Sequence, residues 1–206
     1  MARRLTILVE GDTDRLFFRL LIQTLFANAG KRIWDPSHLR IVSLDGICNA
    51  EHIVRDVLER EGDAHAEGDA LFLVYDTDAF EYQKQPPVRL DRVKRIAEER
   101  GYSFQAIGVK RNVEDMIAFS LPEIRAFLRI DPHYELPKGL SGIQTLKRLH
   151  KEAGRFYIKG NKSEDLLKCL DYSSIAKKYC SLLRPLCDCL GLDCPGDYCR
   201  IRRKKR

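Results

Sequence analysis

The sequence predicts an α/β protein: a parallel sheet of about four strands with helices on both faces, followed by a helical C-terminal extension. Three observations lead there. Short apolar runs rich in branched residues alternate with helical patterns through roughly the first 110 residues. The runs are apolar almost throughout, as in strands covered on both faces, rather than at every second residue. After Lys110 only helix-like periodicity remains.

Leu5 to Glu10 (Leu-Thr-Ile-Leu-Val-Glu) reads as the first buried strand. Gly-Asp-Thr-Asp follows. Asp12 or Thr13 is expected to cap a helix reaching Asn28, with Leu16, Phe17, Leu20, Leu21 and Phe26 on its apolar side. Leu39 to Leu44 is the second strand, ending at Asp45-Gly46, and Asn49 to Arg60 the second helix. Ala70 to Tyr75 is the third and most apolar strand. Arg89 to Arg100 is a helix stopped by Gly101, and Ser103 to Val109 is the fourth strand. Strands separated by helices imply a parallel sheet.

Beyond it, Asn112 to Leu128 is expected to be helical with a break near Pro122. Leu140 to Ala153, Ser163 to Leu170 and Ser173 to Leu190 are further helices. The stretch from Asp131 to Gly142, with Pro132, Pro137 and Gly139, reads as the connecting loop. The expected organisation is a sheet domain over residues 1–130, a helical part packed on it over 131–199, and a basic tail over 200–206.

Composition restricts the class. Of 206 residues, 44% are hydrophobic and 32% charged, the balance of a globular protein. No apolar run reaches the roughly 18 residues that a membrane span requires. The N-terminal apolar stretch is short and ends in an acid, unlike a signal peptide, so no membrane association and a cytoplasmic location are expected. The net charge of +6 resides in Arg200–Arg206, which holds six of the 36 basic residues; the remaining 30 balance the 30 acids. Such a tail either binds phosphate backbones through counterion release or is a solvated end. Five of the seven cysteines (Cys180, Cys187, Cys189, Cys194, Cys199) lie near the C-terminus without paired Cys-x-x-Cys spacing. Cys180 and Cys187 fit an apolar helix face. The histidines (His38, His52, His65, His133, His150) form no ligand pair at helix spacing and read mostly as surface or capping residues.

In open parallel sheets, ligands gather beyond the carboxyl ends of the strands. Glu10 ends the first strand, Asp45 the second, and Asp76 and Asp78 follow the third in Tyr75-Asp-Thr-Asp-Ala79; Asp14 lies one turn past Glu10. Two unit charges about 4 Å apart repel by about 4 kcal/mol at an effective dielectric of about 20. A cluster of this kind calls for a cation or protonation. Hard oxygen donors without neighbouring histidine or cysteine favour Mg²⁺ or Mn²⁺. Asp-Thr-Asp alone also serves as a turn and helix cap. It is the combination with Glu10, about 66 residues earlier and on another strand end, that is specific.

Leu8-Val-Glu-Gly-Asp-Thr-Asp14 and Leu73-Val-Tyr-Asp-Thr-Asp78 together resemble the Toprim domain, found in bacterial primases, topoisomerases, recombination proteins and OLD-like nucleases. The resemblance covers roughly residues 4 to 120. The Glu-Gly-x-x-Asp form is more similar to the nuclease branch. Asn112-Val-Glu-Asp115 resembles the Asn-x-Glu of small Toprim proteins associated with defence against phage, and Phe156-Tyr-Ile-Lys-Gly160 is loosely similar to the same proteins. The resemblance implies a Mg²⁺-dependent nuclease. Glu10 would be a metal ligand and a general acid or base, and Asp76 and Asp78 would hold the ion. Asp14 and Glu114 would complete a second metal position. Lys110, Arg111 and Lys159 would neutralise the phosphate in the transition state. The substrate would be nucleic acid, DNA or RNA. OLD-like nucleases often carry an ATPase, and no Walker-type loop occurs here, so a separate ATPase partner is expected.

Other classes fit less well. A topoisomerase needs a nucleophilic tyrosine in its own setting, and Tyr75, Tyr157 and Tyr179 stand in no motif. A primase needs a zinc module and a longer body. A receiver-like signalling domain needs an adjacent acidic pair and a Lys-Pro after a fifth strand, both absent. A non-catalytic Toprim module that only binds nucleic acid is the remaining alternative, separable by metal-dependent turnover.

Overall fold

The computed structural model describes residues 4–31, 38–61, 68–81, 85–158 and 164–192. Four strands form one all-parallel sheet: β1 (Leu5–Val9), β2 (Leu39–Ser43), β3 (Ala70–Asp76) and β4 (Ser103–Val109), in spatial order β2-β1-β3-β4. The fold class expected from the sequence is therefore the one observed, with each strand within one residue of its expected limits at either end.

The two central strands, β1 and β3, are buried on both faces because their apolar runs supply both, while the edge strands β2 and β4 are half-buried or exposed along most of their length. Leu5, Ile7, Val9, Ala70, Phe72 and Val74 join one apolar cluster, while Leu8, Leu71 and Leu73 join another. This is the two-residue alternation of a strand, with hydrophobic residues on either side. Each such side chain contributes about 1.5–3 kcal/mol by leaving water.

The second cluster is closed by α2 (Ala50–Glu61) and α4 (Leu90–Glu99), through Val54, Leu58, Val93, Ile96 and Ala97. A short 3-10 turn, Ile47–Asn49, leads into α2, and a one-turn helix α3 (Asp78–Glu81) follows β3. The first cluster is closed by α1 (Asp12–Asn28), α5 (Val113–Ile117), α6 (Leu121–Leu128), α7 (Gly142–Glu152), α8 (Glu164–Lys168), α9 (Tyr172–Lys178) and α10 (Cys180–Leu190). Residues from before and after the 131–142 connection thus share one core: Phe17 of α1 meets Tyr172 of α9 with ring centroids 5.4 Å apart.

Several local expectations are corrected. The N-cap of α1 is Gly11, not Asp12 or Thr13; Asp14 Oδ2 accepts the Gly11 N–H at 2.8 Å and takes over the capping. The break expected near Pro122 within 112–128 is present but falls at 118–120, which leaves Pro122 inside the first turn of α6, where its missing N–H costs nothing. The expected helix over 173–190 is likewise two, parted at Tyr179, whose hydroxyl donates to the Asp115 carbonyl at 3.2 Å. His150 is not at the surface. It is 6% exposed, its Nδ1–H donates to the Leu146 carbonyl at 2.8 Å, and its ring lies 5.1 Å from that of Tyr157. Cys180 and Cys187 are buried on the inner side of α10, as expected; Cys194, Cys199, His65 and the basic tail lie outside the described residues. Among the described residues no helix is long and apolar enough to cross a membrane.

Candidate functional site

The strand order reverses direction between β1 and β3: from β1 the chain moves outward to β2, then returns across β1 to β3. At such a switch point the loops diverge and leave a crevice beyond the carboxyl ends. Glu10 and Asp76 end the two strands that flank it. The strands end there for a local reason. Gly11 starts α1 with an extended backbone, and Thr77 turns the chain into α3.

The two ends are bonded to each other. Glu10 Oε1 accepts the backbone N–H of Asp76 at 2.6 Å, across 66 residues of sequence. Asp76 is 5% exposed, and its Oδ1 accepts the Val113 N–H at 3.1 Å, the first N–H of α5. Carboxylates bury only with such compensation, and a helix's first turn offers both N–H groups and a favourable dipole. Asp78 is half-buried, and its Oδ2 accepts from Asn112 Nδ2 at 3.2 Å. The backbone around it is stitched to the end of β4: Thr77 N–H donates to the Val109 carbonyl at 3.0 Å and Asp78 N–H to that of Arg111 at 3.2 Å. Arg111 N–H in turn donates to Thr77 Oγ1 at 2.9 Å. Arg111 has φ 61°, a left-handed conformation that an arginine adopts only where its surroundings hold it.

Glu114, on the first turn of α5, is 1% exposed and accepts from the Tyr157 hydroxyl at 3.5 Å. Burial drives the Tyr157 phenol well above its ordinary pKa, and the charges of Glu114 and Asp14 push the same way. The phenol therefore stays protonated, as a donor, and Asp14 and Glu114 both lie within electrostatic reach of it. Asp14 comes from α1 and Glu114 from α5, so Tyr157 stands in the field of acids from two elements and bonds to one of them, Glu114.

The sequence-derived candidates within the described residues sort into four sets. Glu10, Asp76 and Asp78 occupy the carboxyl ends of neighbouring strands; Glu114 bonds to Tyr157, and Asp14 lies within electrostatic reach of the same phenol. Asp45, at the end of β2, is exposed and accepts from Ser43 Oγ at 3.0 Å. Lys110 and Arg111 are exposed just past β4, where the Arg111 guanidinium is ion-paired with Asp115. Lys159 lies outside the described residues. Among the described residues no three His, Cys, Asp or Glu side chains already stand together as a metal-binding group.

Two residues had been given no role from sequence. Asn112 occupies the N-cap position of α5 without a side-chain capping bond, and its Oδ1 is buried without a hydrogen-bond partner beside Asp78. Its spacing to Glu114 was the only local signal. Tyr157 lies in the Phe156–Gly160 stretch noted for a loose resemblance, but nothing local pointed to Glu114, 43 residues away. Comparison of the chain with known protein families, with curated proteins and with solved structures finds no match.

Proposed function

We propose that this protein is a Mg²⁺- or Mn²⁺-dependent nuclease that hydrolyses phosphodiester bonds in nucleic acid. The observation that supports this most is the bond from Glu10 Oε1 to the Asp76 N–H, which joins two acid-bearing strand ends at the switch point of the sheet. The donor set is made of hard oxygens, which suits these ions. The buried, unpartnered Asn112 Oδ1 next to Asp78 adds a neutral oxygen of the same kind. Asp76, Asp78 and Glu10 would hold one ion, and Asp14 and Glu114 a second. When bound, the ions would supply Lewis-acid stabilisation of the phosphoryl oxygens and lower the pKa of the attacking water.

The chain's own groups do the rest in this reading. Glu10 is half-buried at the mouth of the crevice and takes the proton of the attacking water. The water oxygen bonds to phosphorus, the ester P–O bond breaks, and the departing oxygen picks up a proton from solvent. Lys110 offsets the charge that develops on the phosphate; Arg111 does so on leaving Asp115, and Lys159 is proposed for the same role. Tyr157, held protonated, fixes the Glu114 carboxylate and keeps it from rotating away.

The test is product analysis on a panel of single- and double-stranded DNA and RNA with Mg²⁺ or Mn²⁺. Glu10→Gln keeps the volume and removes the base. It is expected to lower turnover at least about 100-fold, the usual size of a general-base contribution, while substrate binding stays within a few-fold. Equal cleavage by wild type and Glu10→Gln refutes the assignment. A covalent protein–nucleic acid adduct replaces hydrolysis with a tyrosine-type mechanism, and binding without turnover leaves a non-catalytic module.

A further inference from the structure

Beside the acidic strand ends lies a cleft of about 520 Å³, bordered by Lys110, Arg111, Phe119, Leu136, Gly139 and Tyr179. It begins where the site does. The backbone of Arg111 is bonded to Thr77 and Asp78, so Lys110 and Arg111 belong both to the cleft wall and to the edge of the acid cluster. The cleft then passes α5 toward the start of α7.

Its lining combines two kinds of group. Phe119 is one of the large hydrophobic residues left exposed, 41% open, although it sits between the buried α5 and α6. Lys178 Nζ stands 5.8 Å from its ring centroid, and Tyr179 meets it edge-on at 6.2 Å. Lys110 is exposed at the end nearest Asp78. Arg111 is offset by Asp115, which also borders the cleft, so the positive charge of the wall comes from Lys110, and Lys178 adds a cation beside Phe119 from outside the lining.

An exposed aromatic ring flanked by cations, next to a candidate phosphodiester site, matches one ligand chemistry in both of its parts. A nucleotide carries an anion and a flat π-face a short distance apart. A duplex hides its base faces in the stack, whereas a single strand presents them. We propose that this cleft binds an unpaired nucleotide flanking the scissile phosphate, with its base stacked on Phe119 and its phosphate between Lys110 and Lys178. The inference rests on the nuclease reading and narrows its substrate to single-stranded nucleic acid or an unpaired flap.

The test measures binding without turnover. Fluorescence anisotropy of a labelled single-stranded oligonucleotide in EDTA is compared with that of the same sequence as a duplex. Phe119→Leu keeps the apolar bulk and removes the ring; it is expected to weaken single-strand binding at least about fivefold, the low end for loss of one stacked base. Phe119→Trp should bind as well as wild type or better. Lys110→Ala should reduce the salt slope by about 0.7, one phosphate contact on a single strand. Unchanged affinity in Phe119→Leu overturns the proposal, as does duplex binding that is equally tight and equally sensitive to that substitution. Displacement of the oligonucleotide by an acidic peptide at equal concentration also overturns it, assigning the cleft to a protein partner. The two readings fail separately. Cleavage that depends on Glu10 with no effect of Phe119→Leu on binding sinks only the cleft, and Phe119-dependent binding without any cleavage sinks only the nuclease.

Discussion

Replacing Gly142 by alanine probes how the C-terminal helices hold the acid site. A Cβ at position 142 would stand 2.3 Å from the carbonyl carbon and oxygen of Glu114 and 2.4 Å from the amide nitrogen of Asp115. These are backbone atoms of α5, so no side-chain rotation clears them. Comfortable contacts begin near 3.5 Å, so α5 and α7 must separate by about 1 Å at this crossing. Overpacking of this kind costs about 1–3 kcal/mol. The separation also strains the bond from Gly142 N–H to the Asp115 carboxylate, and hydrogen bonds to charged groups contribute about 1.5–3 kcal/mol. Helix propensity pulls the other way, favouring alanine by at most about 1 kcal/mol. The clash wins, for a net loss of about 2–5 kcal/mol. At about 2–4 °C per kcal/mol for a chain of this size, the melting temperature should fall by about 4–20 °C, read by scanning calorimetry. Under the proposed nuclease reading, activity should also fall at temperatures where the variant is still folded, because Glu114 moves with its backbone. A variant that melts within about 2 °C of wild type refutes the close approach and the reasoning built on it.

Two further outcomes follow from the charges. Asp78→Asn removes a charge from the proposed metal site at nearly constant volume; it should weaken Mn²⁺ binding in calorimetry by at least about tenfold and raise the melting temperature in EDTA by easing repulsion in the cluster. Unaltered Mn²⁺ binding would remove Asp78 from the site. His150 is held below its ordinary pKa, chiefly by burial and further by the positive charge of Arg155, against the opposing pull of the Leu146 carbonyl. A base with a depressed folded pKa is stabilising above its unfolded value of about 6.5, and that contribution is lost as pH falls from there toward the folded value. Acidification from pH 7 to 5 should therefore lower the melting temperature, and less so in His150→Gln. Equal pH slopes in the two proteins would exclude His150 as a source of the loss.

The placement of the acids was legible in the sequence because it depends on local signals. Leu5–Val9 and Ala70–Tyr75 are apolar runs too short for helices, and each ends at the first acid after it. Once both are parallel strands of one sheet, Glu10 and Asp76 must fall on the same edge. The capping of α1 was misplaced by one residue, because Asp12, Thr13 and Asp14 offer equivalent local chemistry and only the path of the chain out of β1 chooses among them. The split at Tyr179 was not legible. Its surroundings continue a helical pattern, and the break coincides with a bond to Asp115, 64 residues away.

The sequence alone thus determined the class of fold, the strand ends on which the acids sit and the hard-oxygen character of the cluster, because strand period, helix stops and residue chemistry act over a few neighbours. Tertiary structure decided what those acids touch. The strand order β2-β1-β3-β4 brought Glu10 onto the Asp76 N–H, and the packing of α5 against α7 buried Glu114. It also took Tyr157 to Glu114, drew His150 inside and left Phe119 open beside Lys110. Each of these depends on which faces pack together after the chain has closed loops of tens of residues, and no short stretch of sequence carries that information.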